Sequence, residues 1–100
     1  MIESFGNKAA RDIWERDASR TVPAGLRVRA KALLTIMHAT SSLGDLRIKG
    51  RPPNIRLHKL KGDRRDEWSL TISHQSPWRI TFKFKNGRFL DVRIEDYHEG

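Results

Sequence analysis

The sequence predicts a single α+β domain spanning residues 1–100, on three observations. Apolar residues in the first half recur at helical spacing. In the second half they alternate with polar ones. An Asn-Gly pair, Asn86-Gly87, joins two of the alternating runs. Helices that precede strands in this way gather on one side of a sheet. The expected architecture is two N-terminal helices packed on one face of a three- to four-stranded, mainly antiparallel sheet.

Phe5, Ala9, Ile13 and Trp14 predict a short amphipathic helix near residues 6–16, broken by Ser19 to Val22. Pro23 suits the first turn of a second helix, where its missing N–H costs nothing. Leu26, Ala30, Leu33, Leu34 and Met37 form that helix's apolar face, and it should end near Ala39. Arg27, Arg29 and Lys31 fall on its exposed sides, and His38 at its end faces the negative end of the helix dipole. Ser42-Leu43-Gly44-Asp45 resembles a capping box and starts one further turn. Lys49 to Asn54 is a loop, and Ile55 to Leu60 an early strand. Trp68, Leu70 and Ile72 mark a half-buried strand, followed by a hairpin loop that carries His74. Trp78, Ile80, Phe82 and Phe84 mark a stronger strand, turned by Asn86-Gly87 into a return strand with Leu90, Val92 and Ile94 facing the core. Arg79, Thr81 and Lys83 are left to the other face, a basic open surface suited to RNA.

Twenty basic residues against twelve acidic ones leave a net charge of +8. Residues 1–20 sum to zero, 21–40 to +3, 41–66 to +5, and 67–100 to zero. The excess therefore lies inside the domain, and it favours a polyanionic partner through counterion release. Cysteine is absent, which excludes disulfides and thiolate metal sites. No apolar run is long enough to span a membrane, and the start lacks a signal-peptide pattern. A cytoplasmic protein with no membrane partner is expected.

Three segments carry chemistry: Leu57-His58-Lys59-Leu60-Lys61-Gly62, Trp78-Arg79-Ile80-Thr81-Phe82 and Asp96-Tyr97-His98. Cutting RNA needs a base for the 2′-OH, an acid for the 5′ leaving oxygen, and fixed positive charge near the phosphate. Histidine suits both proton roles near neutral pH, and arginine and lysine suit the third. An aromatic ring can stack an unpaired base. His58, Lys61, Arg79, Asp96, Tyr97 and His98 supply all of these types on three separate strands or strand ends. Each also has an ordinary reading: a surface histidine, a lysine flanking a turn, a solvated arginine, a frayed terminus. A two-histidine metal site lacks the spacing of a ligand set, so no metal or cofactor is expected.

These segments are similar to the HigB family of RelE-like toxins. Leu57 to Asp63 resembles its leucine–histidine–any–leucine–lysine–glycine pattern. Trp78 to Phe82 resembles its tryptophan–arginine strand, and Ile94 to His98 its terminal acidic–tyrosine–histidine signature. Met1 to Phe5 also resembles the family's start, so the likeness runs in order along nearly the whole chain. The resemblance implies the RelE-like α+β fold and cleavage of mRNA on the translating ribosome. It also implies a helix-turn-helix, HigA-like antitoxin partner, with operator DNA bound through that antitoxin. By position, His58, Lys61, Arg79, Asp96, Tyr97 and His98 match the family's active-site set. His98 and Asp96 are the candidates for proton transfer, with His58 as a second acid–base group or phosphate-orienting residue. Arg79 and Lys61 would stabilise transition-state charge, and Tyr97 would stack a base. Which group is acid and which base stays open. Arg56, Lys59, Lys83 and Arg93 are expected to contact RNA or ribosome. Two segments depart from the pattern: the loop from Arg47 to Arg56, and the charged run Arg64-Arg65-Asp66-Glu67, expected to lie apart from the motif residues.

Two other readings use the same surface. A non-catalytic RNA- or DNA-binding module would need Arg79 and Lys83 but not Asp96 or His98. A protein-interaction domain would use its basic face to meet an acidic partner.

Overall fold

The computed structural model describes residues 1–49 and 56–97. Helices α1 (Lys8–Arg16), α2 (Ala24–Ala39) and α3 (Leu43–Lys49) come first. Strands β1 (His58–Lys59), β2 (Trp68–Thr71), β3 (Trp78–Lys85) and β4 (Arg88–Asp96) follow, with a 3-10 turn at Gly62–Arg64 between β1 and β2. The strands pair antiparallel in the order β1-β2-β3-β4. This is the expected α+β architecture, with a third helix where one further turn is predicted.

Local chemistry sets each helix end. The Asn7 side chain accepts from the Ala10 N–H and starts α1, and Asp17 closes it in the left-handed conformation. Ala30, Leu33, Leu34 and Met37 are buried along α2 as their spacing predicts, with Pro23 at the N-cap rather than inside the first turn. The Ser42 hydroxyl accepts from the Asp45 N–H and starts α3. The cations of α2 do not simply face water. Arg27 donates to the Val22 carbonyl, Arg29 to the Ile72 carbonyl and Lys31 to the Trp14 carbonyl. His38 likewise uses Nδ1 to accept from the Ile2 N–H, while its ring lies 5.2 Å from that of Trp14.

The helices cover the sheet face that carries Leu70, Ile80, Phe82, Phe89, Val92 and Ile94, all fully buried or nearly so. Phe82 and Phe89 meet edge to face at 5.1 Å, a favoured aromatic geometry. The Asn-Gly hairpin is present: Lys85 pairs with Arg88, and Asn86 and Gly87 take φ of 52° and 78°. A Cβ on Gly87 would also lie 3.3 Å from the Ser41 carbonyl, so the hairpin tip packs against the corner between α2 and α3.

Three strand expectations change. Only His58 and Lys59 of the early strand are paired, and Ile55 lies outside the described residues. The strand expected to be half-buried is covered on both faces, since Ser69 and Thr71 are buried along with Leu70. In the return strand the core residue is Phe89, not Leu90. The register shifts between Thr81 and Lys83, so Phe82 faces two residues, Asp91 and Val92. Asp91 absorbs the extra residue at φ 50°, which makes a β-bulge and resets the alternation.

Residues at the start of the chain complete the sheet. Ile2 bridges Phe89 and Phe5 bridges Val92, both in parallel, alongside β4.

Candidate active site

Strand register fixes which predicted site residues share a face. His58 pairs with Ser69, Ser69 with Thr81, and Thr81 with Arg93. In the next row Thr71 pairs with Arg79 and Arg79 with Glu95. Alternation places both rows on the face away from the helices. His58 and Arg79 therefore stand two strands and one row apart, about 10 Å across the sheet and about 7 Å along it, or about 12 Å in all. A nucleotide's phosphate and ribose can bridge that span with help from side-chain reach.

His58 is half-buried, with Nδ1 3.1 Å from the Arg56 carbonyl. A carbonyl only accepts, so Nδ1 is the donor in that bond. Arg79 uses Nη1 to donate to the carbonyls of Ser76, at 2.5 Å, and Trp78, at 3.0 Å. Those bonds hold its guanidinium toward the β2–β3 turn. Lys61 is exposed at the start of the 3-10 turn.

The terminal motif is split by alternation. Asp96 pairs with Trp78 and follows Ile94 on the helix side of β4, where it is exposed. Tyr97 falls with Glu95 on the other side, and its N–H donates to the Pro77 carbonyl at 3.1 Å. His58, Arg79 and Tyr97 thus share a face, and Asp96 is not with them. His98 lies outside the described residues.

The four cations expected to contact RNA differ in setting. Arg56 is exposed, with φ 42°. Lys59 lies over the Trp68 ring at 5.6 Å. Lys83 stands 3.6 Å from both Asp66 and Asp91. Arg93 packs against Gly6, where a Cβ would sit 2.5 Å from the Arg93 Nε and 2.9 Å from the Asp91 carbonyl oxygen, so any larger residue would force a shift.

The centre of this face is not the open basic surface the alternation suggests. Thr81 is fully buried beneath a cluster that sequence reasoning missed. Arg64 donates through Nε and Nη2 to the two oxygens of Glu67, at 2.9 and 2.8 Å. It donates through Nη1 and Nη2 to the two oxygens of Glu95, both at 2.8 Å. Nη2 also reaches the Thr81 hydroxyl at 3.3 Å, and that hydroxyl donates to Glu95. Its Cζ lies 5.3 Å from the Tyr97 ring centre, within cation–π range. The charged run at residues 64–67 therefore does touch the motif residues.

The cluster's electrostatics follow from its bonding. Hydrogen bonds to Glu67 and Glu95 raise the Arg64 pKa far above its ordinary value, against the cost of burial. The hydrogen bond from Arg64 leads in lowering the Glu95 pKa, against desolvation, with help from Thr81 and the charge of Arg93. Two carboxylates face one guanidinium, so these three side chains are net negative together.

The fold and this face define a basic α+β protein that presents a histidine, an arginine and a tyrosine on one side of its sheet. The sequence matches the RelE-like toxin of type II toxin–antitoxin system HigB over residues 3–98, and the chain belongs to that family. It is also similar to the Endoribonuclease HigB of Proteus vulgaris, at 36% identity over 98 residues, covering 98% of this chain and 100% of the relative. No helix among the described residues is long and apolar enough to cross a membrane.

Proposed function

We propose that this chain is an endoribonuclease that cuts mRNA on the translating ribosome in the cytoplasm and so arrests translation. The observation that carries the reading is family membership over residues 3–98, in a chain whose His58, Arg79 and Tyr97 share one sheet face. Likeness to a relative named an endoribonuclease supports the reaction class.

The chemistry proceeds through the substrate's own 2′-OH. A base removes its proton, O2′ attacks phosphorus, and the bond from phosphorus to O5′ breaks as an acid protonates the leaving oxygen. The products are a 2′,3′-cyclic phosphate, or a 3′-phosphate after hydrolysis, and a 5′-hydroxyl. Side chains cover each role, so the step needs no metal. His98 is assigned to proton transfer, with His58 as a further acid–base group; Asp96, which alternation turns to the helix side of β4, is not placed at the phosphate with them. Arg79 meets the phosphate with the Nε–Nη2 edge, because Nη1 serves the Ser76 and Trp78 carbonyls. Lys61 adds positive charge, and Tyr97 stacks a base. Arg56, Lys59, Lys83 and Arg93 contact RNA or ribosome phosphates. A helix-turn-helix, HigA-like antitoxin neutralises the toxin, and operator DNA is bound through it.

Brief induction followed by mapping of 5′ ends on ribosome-bound mRNA tests the reading. New 5′-hydroxyl ends, lost in His98→Ala, are expected. Arrest of growth without new ends, or full toxicity in His98→Ala, would overturn it. Salt-sensitive RNA binding without cleavage would favour the non-catalytic module instead.

A further inference from the structure

We propose that Arg64 is the positioning residue of Tyr97, holding the ring where a nucleotide base is to be stacked. The catalytic side of this inference rests on the functional reading above; the placement of the ring does not.

Tyr97 follows the last residue of β4, where a chain frays unless something ties it down. Two contacts do so. The Pro77 carbonyl holds its backbone N–H, and the Arg64 guanidinium lies over its ring at 5.3 Å. A lone arginine would be a poor guide, since its side chain has many rotamers. Arg64 has lost that freedom. Its planar fork is gripped by two bidentate carboxylates, one from its own turn (Glu67) and one from β4 (Glu95). Glu67 is buried, with 7% of its surface exposed, so one side of the grip is anchored in the protein. The guanidinium plane is therefore fixed relative to β4.

A direct role in binding phosphate fits less well. Arg64 is outnumbered by the two carboxylates it serves, and four of its hydrogen bonds go to them, against one to Thr81. Its effect on a substrate is transmitted through Tyr97.

Tyr97 is the chain's one tyrosine, so its ring signals are unambiguous. The test variant is Arg64→Met combined with Glu67→Gln, which avoids stranding a buried carboxylate. Circular dichroism establishes that it is folded. Arg64→Lys in an otherwise unchanged chain is the conservative comparison, since it keeps the cation and loses the fork.

Aromatic carbon-13 relaxation of the full-length protein should show the Tyr97 ring becoming mobile in the double variant, its order parameter falling below about 0.6. The single-turnover cleavage rate on programmed ribosomes should fall about tenfold or more, because misplaced contact groups lose rate steeply, while ribosome affinity changes less than about twofold. Arg64→Lys should fall between. A rigid ring in the folded double variant overturns the proposal, whatever the rate does. A mobile ring with an undiminished rate overturns the link to catalysis. If the wild-type chain cuts no RNA, the functional reading fails, and the relaxation result still decides what Arg64 does to Tyr97. Should Arg64→Met with Glu67→Gln be unfolded, the same relaxation and rate measurements on Glu95→Gln, which loosens the fork from β4 alone, decide the matter in the same directions.

Discussion

Asn7 behaves toward Ile94 as a neighbouring strand would. Its Nδ2 donates to the Ile94 carbonyl at 3.0 Å, and its Oδ1 accepts from the Ile94 N–H at 3.3 Å. The same Oδ1 accepts from the Ala10 N–H at 3.1 Å. One amide thus ends the parallel pairing beside β4 and begins α1. Replacing it with alanine removes the helix cap and leaves a strand carbonyl unserved. Asn7→Ala should lower stability by about 2 kcal/mol, near the upper end for a lost cap. Asn7→Asp, which keeps the cap and loses the donor, should fall between. Urea unfolding midpoints measure both, and equal stability of Asn7→Ala and wild type would show that the amide is dispensable.

The bulge at Asp91 gives a second expectation. Aspartate tolerates the left-handed conformation better than a β-branched residue does. Asp91→Val should cost about 1–2 kcal/mol in thermal or urea unfolding from backbone strain. Asp91→Gly should be close to neutral. A stable valine variant would mean that the strand sheds its bulge, and amide exchange around Thr81 to Lys83 would reveal the new register.

Glu95 makes the fold acid-sensitive in a defined direction. Its folded-state pKa lies below the ordinary 4.5, chiefly through the hydrogen bond from Arg64. A lowered carboxylate pKa contributes stability at pH above the unfolded value, and that contribution is lost as pH falls through the folded value. At neutral pH, Glu95→Gln should be less stable than wild type by about 1 kcal/mol, a modest figure for a partly exposed pair. The gap should close as pH drops below 4.5. Unfolding free energies across that range decide it; a gap that widens in acid would contradict the assignment.

Arg79 tests the division between holding and catalysing. Arg79→Lys keeps the charge and loses the planar fork, which separates the phosphate contact from the grip on the β2–β3 turn. Cleavage should fall about a hundredfold, the usual loss for one transition-state donor, with stability changed by less than about 1 kcal/mol. Gel assays of programmed ribosomes supply the rate. An unaffected rate would remove Arg79 from the catalytic set.

Much of the fold is legible from residue pattern. The stripe from Ala30 to Met37, the cap at Ser42 and the Asn86-Gly87 turn all signal locally, and each element appears in the structure. The phase of β4 is not legible, because alternation continues through a bulge only if the extra residue is known beforehand. Leu90 and Phe89 are both apolar, and pairing alone chooses Phe89 for the core. The candidate site divides in the same way. His58, Arg79 and Tyr97 are recognisable from their motifs. Arg64 and Glu95 are 31 residues apart, and nothing in a charged run tells which side chain will be drawn under the fold. The exposure of Arg65 and Asp66 beside the burial of Glu67 shows how little composition distinguishes them.

The parallel pairing of Ile2 and Phe5 with Phe89 and Val92 bears on the order of folding. Ile2 and Phe5 have their partners in β4, far along the sequence. Such contacts close late in folding because the intervening loop must first be ordered. The grip of Arg64 on Glu95 and Tyr97 also waits for β4. A growing polypeptide that has not yet delivered β4 leaves α1 without the strand it packs against and the sheet without its central clamp. The fold is therefore closed by β4, and chains truncated before it should be cleaved by proteases faster than the intact chain.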